Sequence, residues 1–131
     1  MRNNKPIMLG VDHYIQGPNS LQLVGPEAKF IGTKAIIIAG KTAWEKTGAT
    51  ISKSLKNSGI SFDFISFSTY CTEELTSKIA EMAKNANADL IIGVGGGRCL
   101  DTAKYSAHKA KIRVLQYLHQ LLLAPHMLCF V

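Results

Sequence analysis

Leu90-Ile91-Ile92-Gly93-Val94-Gly95-Gly96-Gly97-Arg98-Cys99-Leu100-Asp101-Thr102-Ala103-Lys104 decides the reading of this 131-residue chain. Leu90 to Val94 is an apolar run bounded by glycines and short enough for a buried strand. Leu100, Ala103, Lys104 and Ala107 follow at helical spacing. Between them, three consecutive glycines remove every Cβ from a strand-to-helix junction, so the backbone can turn sharply and bring its N–H groups close to a ligand. Those donors lie where the positive end of a helix dipole emerges, and the natural guest is an anion, most often a phosphate. The competing reading is a tight turn whose glycines serve only helix–strand packing. The motif points to a phosphate or dinucleotide and is silent on the reaction.

Working upstream, Thr72-Glu73-Glu74 opens a helix with acids in its first turn and apolar positions at Leu75, Ile79, Met82, Ala83 and Ala86. Ile60 to Phe67 alternates as a strand. Lys34 to Gly40 is a continuous apolar run, the mark of a strand buried on both faces. Between these strands, Thr42 is placed to cap a helix through Trp44, Thr47, Ile51 and Leu55 that stops at Asn57-Ser58-Gly59. Near the start, Ile7-Met8-Leu9 is a short strand candidate. Asn19 or Ser20 can cap a short helix over Leu21 and Leu23 ending near Gly25-Pro26. Downstream, the glycine-loop helix runs to about Ala110 and Ile112 to Leu115 forms the next strand. Strands alternating with helices through short connections predict an α/β domain with a parallel, Rossmann-like sheet. Ligands of such sheets bind beyond the carboxyl ends of the strands, so Gly40, Phe67 and Val94 should surround one crevice. The usual G-x-G-x-x-G is absent after the strand ending at Gly40, and the glycine cluster follows a later strand.

Composition narrows the classes. The chain is 47% apolar and 18% charged, as globular domains are. A net charge of +6 comes mostly from scattered lysines. The one local cluster, Lys104, His108, Lys109, Lys111 and Arg113, lies at a helix C-terminus, where cations suit the dipole. No basic stripe is interleaved with aromatics, so no nucleic-acid partner is expected. Cys71, Cys99 and Cys129 are odd in number and far apart, which implies neither a disulfide framework nor a metal knuckle. No signal-peptide run follows Met1 to Pro6, and a reducing, cytoplasmic setting is the expectation.

The displaced glycine cluster carries a resemblance. Gly93 to Lys104 is similar to the G-G-G-K-T-x-D-x-A-K loop of the glycerol dehydrogenases, within the iron-containing (group III) alcohol dehydrogenase superfamily, whose N-terminal domain is shared with dehydroquinate synthases. Tyr14-x-x-Gly17 with Leu21-x-x-x-Gly25 resembles the family's opening. Ile36 to Ala39 followed by Trp44, and Phe67, Cys71 and Glu74, fall on its first two strand–helix units, so the likeness covers about residues 7–115.

The resemblance implies that Gly95, Gly96, Gly97, Arg98 and Cys99 hold the pyrophosphate of NAD, with Asp101 at the family's acidic position. Arg98 stands for the usual lysine and keeps a cation near phosphate in a planar fork. Cys99 stands for a small hydroxyl residue; a thiol at a helix N-terminus is also open to activation as a reactive group. Gly40 stands where many relatives carry an aspartate on the adenosine ribose, so NADP is not excluded, with Lys41 nearby, although Gly40 can equally be a tight turn. The family holds a divalent metal, zinc or iron, through an aspartate and two histidines in a helical C-terminal domain. His108, His119 and His126 do not supply that set, and no catalytic or metal residue is assigned. His13, Asp12, Glu73 and Glu74 read as surface, packing or helix-starting groups.

The domain division expected is residues 1–115 as an incomplete NAD-binding α/β domain and 116–131 as an atypical tail. Codons for Gln-Tyr-Leu-His-Gln-Leu, read one base earlier, can spell Thr-Ile-Pro-Thr-Ser-Ala, the family's continuation, which suggests a shift of frame after Leu115; the nucleotide sequence decides. A membrane span over Ile112 to Val131 is disfavoured by Arg113, Gln116, His119, Gln120, Pro125 and His126 within it. Pro125 would also cut short an amphipathic partner-binding helix. The resemblance implies the cofactor part of an NAD-dependent, metal-assisted dehydrogenase of small glycerol-like alcohols. The chain as written is expected to be inactive and to self-associate or aggregate through an uncovered apolar face. Alternatives are a dehydroquinate synthase-like or glycerol-1-phosphate dehydrogenase-like enzyme, or a non-catalytic nucleotide-binding module.

Overall fold

A computed structural model describes residues 13–15, 21–67 and 71–118. The elements are β1 (His13–Ile15), a 3-10 turn (Leu21–Leu23), α1 (Val24–Ile31), β2 (Lys34–Gly40), α2 (Lys41–Asn57), β3 (Ser61–Phe67), α3 (Glu73–Asn85), β4 (Leu90–Gly95), α4 (Gly97–Ala110) and β5 (Arg113–Leu118). The five strands form one sheet in the order β1-β5-β4-β2-β3, and every pairing is parallel. This is the predicted Rossmann-like α/β architecture. Among the described residues no helix is long and apolar enough to cross a membrane.

The unbroken apolar runs of β2 and β4 have the cause the sequence suggested, since both faces of these central strands are covered. Ala35, Ile37 and Ala39 face Val24 and Ala28 of α1 and Ile51 and Leu55 of α2. Ile36 and Ile38 face Ile79 and Ala83 of α3 and Ala103 and Ala107 of α4. Burying each Ile or Leu side chain fully is worth about 1.5–3 kcal/mol, so the two layers of aliphatic contacts dominate stability. β3 lies at the sheet edge and is half-exposed accordingly; Phe64 stacks on Trp44 of α2 with ring centroids 4.7 Å apart. At the amino end of the sheet, Asp89 accepts from the amides of Thr33 and Lys34 at 3.0 Å and anchors the entry of β2 beside β4.

Several local expectations are met and several change. Thr72 caps α3, its hydroxyl accepting from the Leu75 amide at 3.1 Å, and Gly59 takes the left-handed conformation (φ +77°) beyond α2. Met82, expected in the core, is 42% exposed, because the buried stripe of α3 runs through Thr76, Ile79, Ala80 and Ala83. The helix expected to end at Gly25-Pro26 instead continues as α1 to Ile31. Pro26 is its third residue, in the first turn, where a missing N–H removes no intrahelical bond. Thr42 is not the cap of α2: β2 passes directly into the helix at Lys41 with Gly40 as the N-cap residue. The strand candidate Ile7 to Leu9 and the caps Asn19 and Ser20 lie outside the described residues, as does His13's side chain; the backbone at His13–Ile15 is β1.

β5 does not stop at Leu115. Gln116 pairs with Gly93 and with Tyr14, and Tyr117 with Val94, so residues 116–118 of the expected tail belong to the sheet. Gln116 is buried, and its side-chain amide donates to the Leu100 carbonyl at 2.7 Å, so its polar group is satisfied inside the sheet. Residues 119–131 lie outside the described part.

Candidate functional site

The strand order reverses at one place. From β2 the chain goes outward through α2 to β3, then returns through α3 to place β4 on the other side of β2. Helices α2 and α4 leave the carboxyl ends of the neighbouring strands β2 and β4 toward opposite faces, as the two core layers show. Such a reversal of strand order leaves an open cleft above the sheet, where ligands of α/β proteins bind. The register sets Gly40 beside Phe67 and Ala39 beside Val94, so the three strand ends lie side by side at the carboxyl edge of the sheet.

The four glycines here serve three different physical needs. A Cβ on Gly93 would stand 2.6 Å from the Ala103 Cβ, so this glycine lets α4 lie close on β4. Gly95 has φ +148°, a conformation L side chains rarely adopt, and turns the chain out of the strand. Packing and turning therefore account for Gly93 and Gly95. They do not account for Gly96 and Gly97. Gly96 has ordinary extended backbone (φ −91°, ψ −169°), Gly97 is the first helical residue, and an added Cβ at either would meet nothing within 4 Å. The fold would accept side chains at both, and their absence leaves bare backbone at the mouth of α4.

The first helical bond of α4 runs from the Leu100 amide to the Gly96 carbonyl at 3.0 Å. The amides of Gly97 and Cys99 precede it and point out of the helix end, toward the cleft, with the positive end of the dipole. Arg98 and Asp101 are exposed on the first two turns. Asp101 lies four residues after Gly97, one turn along the same helix face. Gly40 also has ordinary backbone (φ −73°, ψ 158°), and only the Phe67 carbonyl, at 3.9 Å, would approach a Cβ there. It is therefore not a strained tight turn; like Gly96 and Gly97 it leaves room at a strand end. Lys41, next to it, is exposed at the start of α2.

Cys99 departs from expectation. Its side chain turns inward, 4% exposed, and the sulfur donates toward the carbonyls of Ile38 and Val94, each at 3.3 Å. Burial pushes the thiol up to about 12, and backbone hydrogen bonds at Val94 and Gly40 offset only part of that. The reactive-thiol reading is thereby overturned: desolvation outweighs the helix dipole. Only the backbone amide of Cys99 can serve a ligand in the cleft. Its spacing held the signal, since Cys99 lies four residues before Ala103 on the stripe continued by Ala107 and Ala110 that faces the sheet.

Glu73 and Glu74 start α3, and Glu73 accepts from Lys109 of α4 at 2.9 Å, a structural tie between helices. Among the described residues no three His, Cys, Asp or Glu side chains gather closely enough to hold a metal ion.

Comparisons with known proteins agree with this fold. The sequence profile described as "Iron-containing alcohol dehydrogenase" matches residues 12–127. A glycerol dehydrogenase of Pseudomonas putida is 32% identical over 101 residues, covering 77% of this chain and 28% of that protein. A glycerol-1-phosphate dehydrogenase [NAD(P)+] of Methanocorpusculum labreanum is 28% identical over 111 residues, covering 85% and 29%. The crystal structure of glycerol dehydrogenase from Schizosaccharomyces pombe superposes with a TM-score of 0.72 at 25% identity, covering 82% of this chain and 28% of that one. The chain thus spans between a quarter and a third of the length of these relatives. A parallel sheet whose strand order reverses between β2 and β4, a glycine loop after β4 and a profile match over nearly its whole length place the chain in the iron-containing alcohol dehydrogenase family of oxidoreductases.

Proposed function

We propose that the β2–β4 cleft seats the diphosphate of a nicotinamide dinucleotide, and that the chain is the cofactor-binding part of an NAD-dependent dehydrogenase of small glycerol-like alcohols. The observation that carries this reading is the bare backbone at Gly96 and Gly97, where neither conformation nor packing calls for glycine. A diphosphate needs several N–H donors at close range and a positive local field, and the first turn of α4 supplies both. The Arg98 guanidinium adds a second source of positive charge beside that anion. Asp101 is unsuited to phosphate and suits a hydroxyl or amide donor of the cofactor, orienting it through an accepted hydrogen bond.

Gly40 bears on which dinucleotide enters. Without a carboxylate there, the end of β2 repels no 2′-phosphate, and Lys41 adds a cation at the same place. NAD is the primary assignment, and NADP is admitted by the same site.

The bound dinucleotide would supply the hydride acceptor for alcohol oxidation. The residues described here bind and orient it. No metal-dependent step is assigned to them, because they gather no ligand set for one. The described residues are accordingly proposed to bind nucleotide and not to carry the alcohol-oxidising step.

Calorimetric titration of the folded chain with NAD+ and with NADP+ tests the reading. Saturable binding that a Gly97→Val variant of unchanged circular dichroism loses is the expected result. Failure of both nucleotides to bind folded protein would refute the assignment of the cleft. Glycerol-dependent NADH formation by the chain alone, with zinc or iron(II) supplied, would refute the claim that these residues do not carry that step.

A further inference from the structure

Cys99 lies directly beneath the glycine loop. A Cβ on Gly95 would stand 3.2 Å from the Cys99 Cβ and 3.4 Å from its sulfur, so Gly95 rests on this side chain at the point where the chain leaves β4. The sulfur in turn contacts two carbonyls on different strands: Ile38, two residues before the end of β2, and Val94, one before the end of β4. These are the strands that flank the cleft.

We propose that Cys99 is a positioning residue for the dinucleotide site. Its thiol ties the first turn of α4 to the paired ends of β2 and β4 beneath Gly95 and so fixes the direction in which the first-turn amides of α4 point. The inference rests on the cleft being the diphosphate seat.

The physical argument is one of leverage. Gly95, with φ +148°, is the last residue of β4 and its last pairing on β5, opposite Leu118. Beyond that point the loop needs another support to keep its amides convergent on one anion. A thiol has a single proton to share between two equidistant carbonyls, and its burial keeps water from competing for them. Its high proton affinity keeps it a donor through the neutral range. Filling the same space with an apolar group would preserve packing and remove the tie. Shortening the side chain while keeping a hydroxyl would preserve the tie and change the packing slightly.

Those two substitutions separate positioning from stability. NAD+ affinity is measured by calorimetry for the wild-type chain and for Cys99→Ser, Cys99→Val, Cys99→Ala and Ile79→Val. The last lies in the same core layer, on α3, and reports the effect of core destabilisation alone. Cys99→Val and Cys99→Ala should lower affinity about tenfold, the worth of one well-placed hydrogen bond in the loop. Cys99→Ser should retain wild-type affinity, and Ile79→Val should leave affinity unchanged while lowering the unfolding midpoint. If the wild type binds and all three Cys99 variants bind equally well, positioning is overturned while the diphosphate seat stands. If the wild type binds neither NAD+ nor NADP+, the seat itself falls and the inference with it. Should Cys99→Val not fold, the contrast between Ser and Ala still decides: equal loss in both overturns the proposal.

Discussion

Replacing Gly97 by alanine should make the protein more stable and a poorer nucleotide binder, two effects of opposite sign from one methyl group. Gly97 is the first residue of α4, and an added Cβ would meet nothing of the protein within 4 Å. Alanine restricts the unfolded chain and favours the helix, which is worth about 0.4–1 kcal/mol where the native backbone is compatible. The same methyl occupies the approach to the first-turn amides. An anion oxygen sits about 2.9 Å from an amide nitrogen but about 3.5 Å from a carbon. The oxygen must therefore retreat, and one or two charge-assisted hydrogen bonds weaken. At about 1.5–3 kcal/mol each, affinity for NAD+ should drop by roughly ten- to a hundredfold or more.

Gly93→Ala is the contrasting perturbation. Its Cβ would stand 2.6 Å from the Ala103 Cβ and 3.3 Å from Leu100 Cδ2, in a seam where the helix backbone has to move. Overpacking of that kind costs about 1–3 kcal/mol. Urea denaturation gives the two stabilities and calorimetry with NAD+ gives the two affinities. A Gly97→Ala protein that binds NAD+ like the wild type, or that is destabilised by more than about 1 kcal/mol, would show that Gly97 is kept for some reason other than access to the helix end.

Three further outcomes follow from particular contacts. The Cys99 thiol, raised from 9.0 to about 12, contributes stability that is complete below pH 9 and is lost as pH climbs through 12. That span corresponds to about 4 kcal/mol at most; urea midpoints of wild type and Cys99→Ser between pH 8 and 11 should diverge, the wild type falling faster, and parallel curves would contradict the burial argument. Gln116→Ala removes the 2.7 Å donation to the Leu100 carbonyl inside the sheet and should cost about 1–3 kcal/mol by thermal denaturation; a neutral effect would mean that β5 does not extend past Leu115. Asp89→Ala frees the Thr33 and Lys34 amides at the amino end of the sheet and should cost about 1–3 kcal/mol by urea denaturation, with NAD+ affinity unchanged, since the cleft lies at the other end.

Much of the fold was legible because burial on both faces of a parallel sheet leaves a plain trace. Lys34 to Gly40 and Leu90 to Val94 read as continuous apolar runs because α1 and α2 cover one side and α3 and α4 the other. Boundaries were harder where a polar residue or a proline obeys a local rule for a nonlocal reason. Pro26 looked like a terminator, although the first turn of a helix tolerates it. Gln116 looked like the end of a strand, although a carbonyl sixteen residues away on α4 satisfies it. No one-dimensional pattern records that partner.

The site divides in the same way. Four glycines in one short stretch announce that backbone conformation or access matters, but the letters are identical and the reasons are not. Gly93 answers to Ala103, Gly95 to its own φ, and Gly96 and Gly97 to neither. Only by subtracting the first two needs does the remainder point outward, to something that must approach the helix end. Cys99 makes the complementary point. Read by its neighbours in the motif it belongs to the ligand; read by its spacing to Ala103 it belongs to the core, and burial decides for the core. A residue so placed can still govern binding, because the loop that meets the ligand is only as well aimed as the side chain on which Gly95 rests.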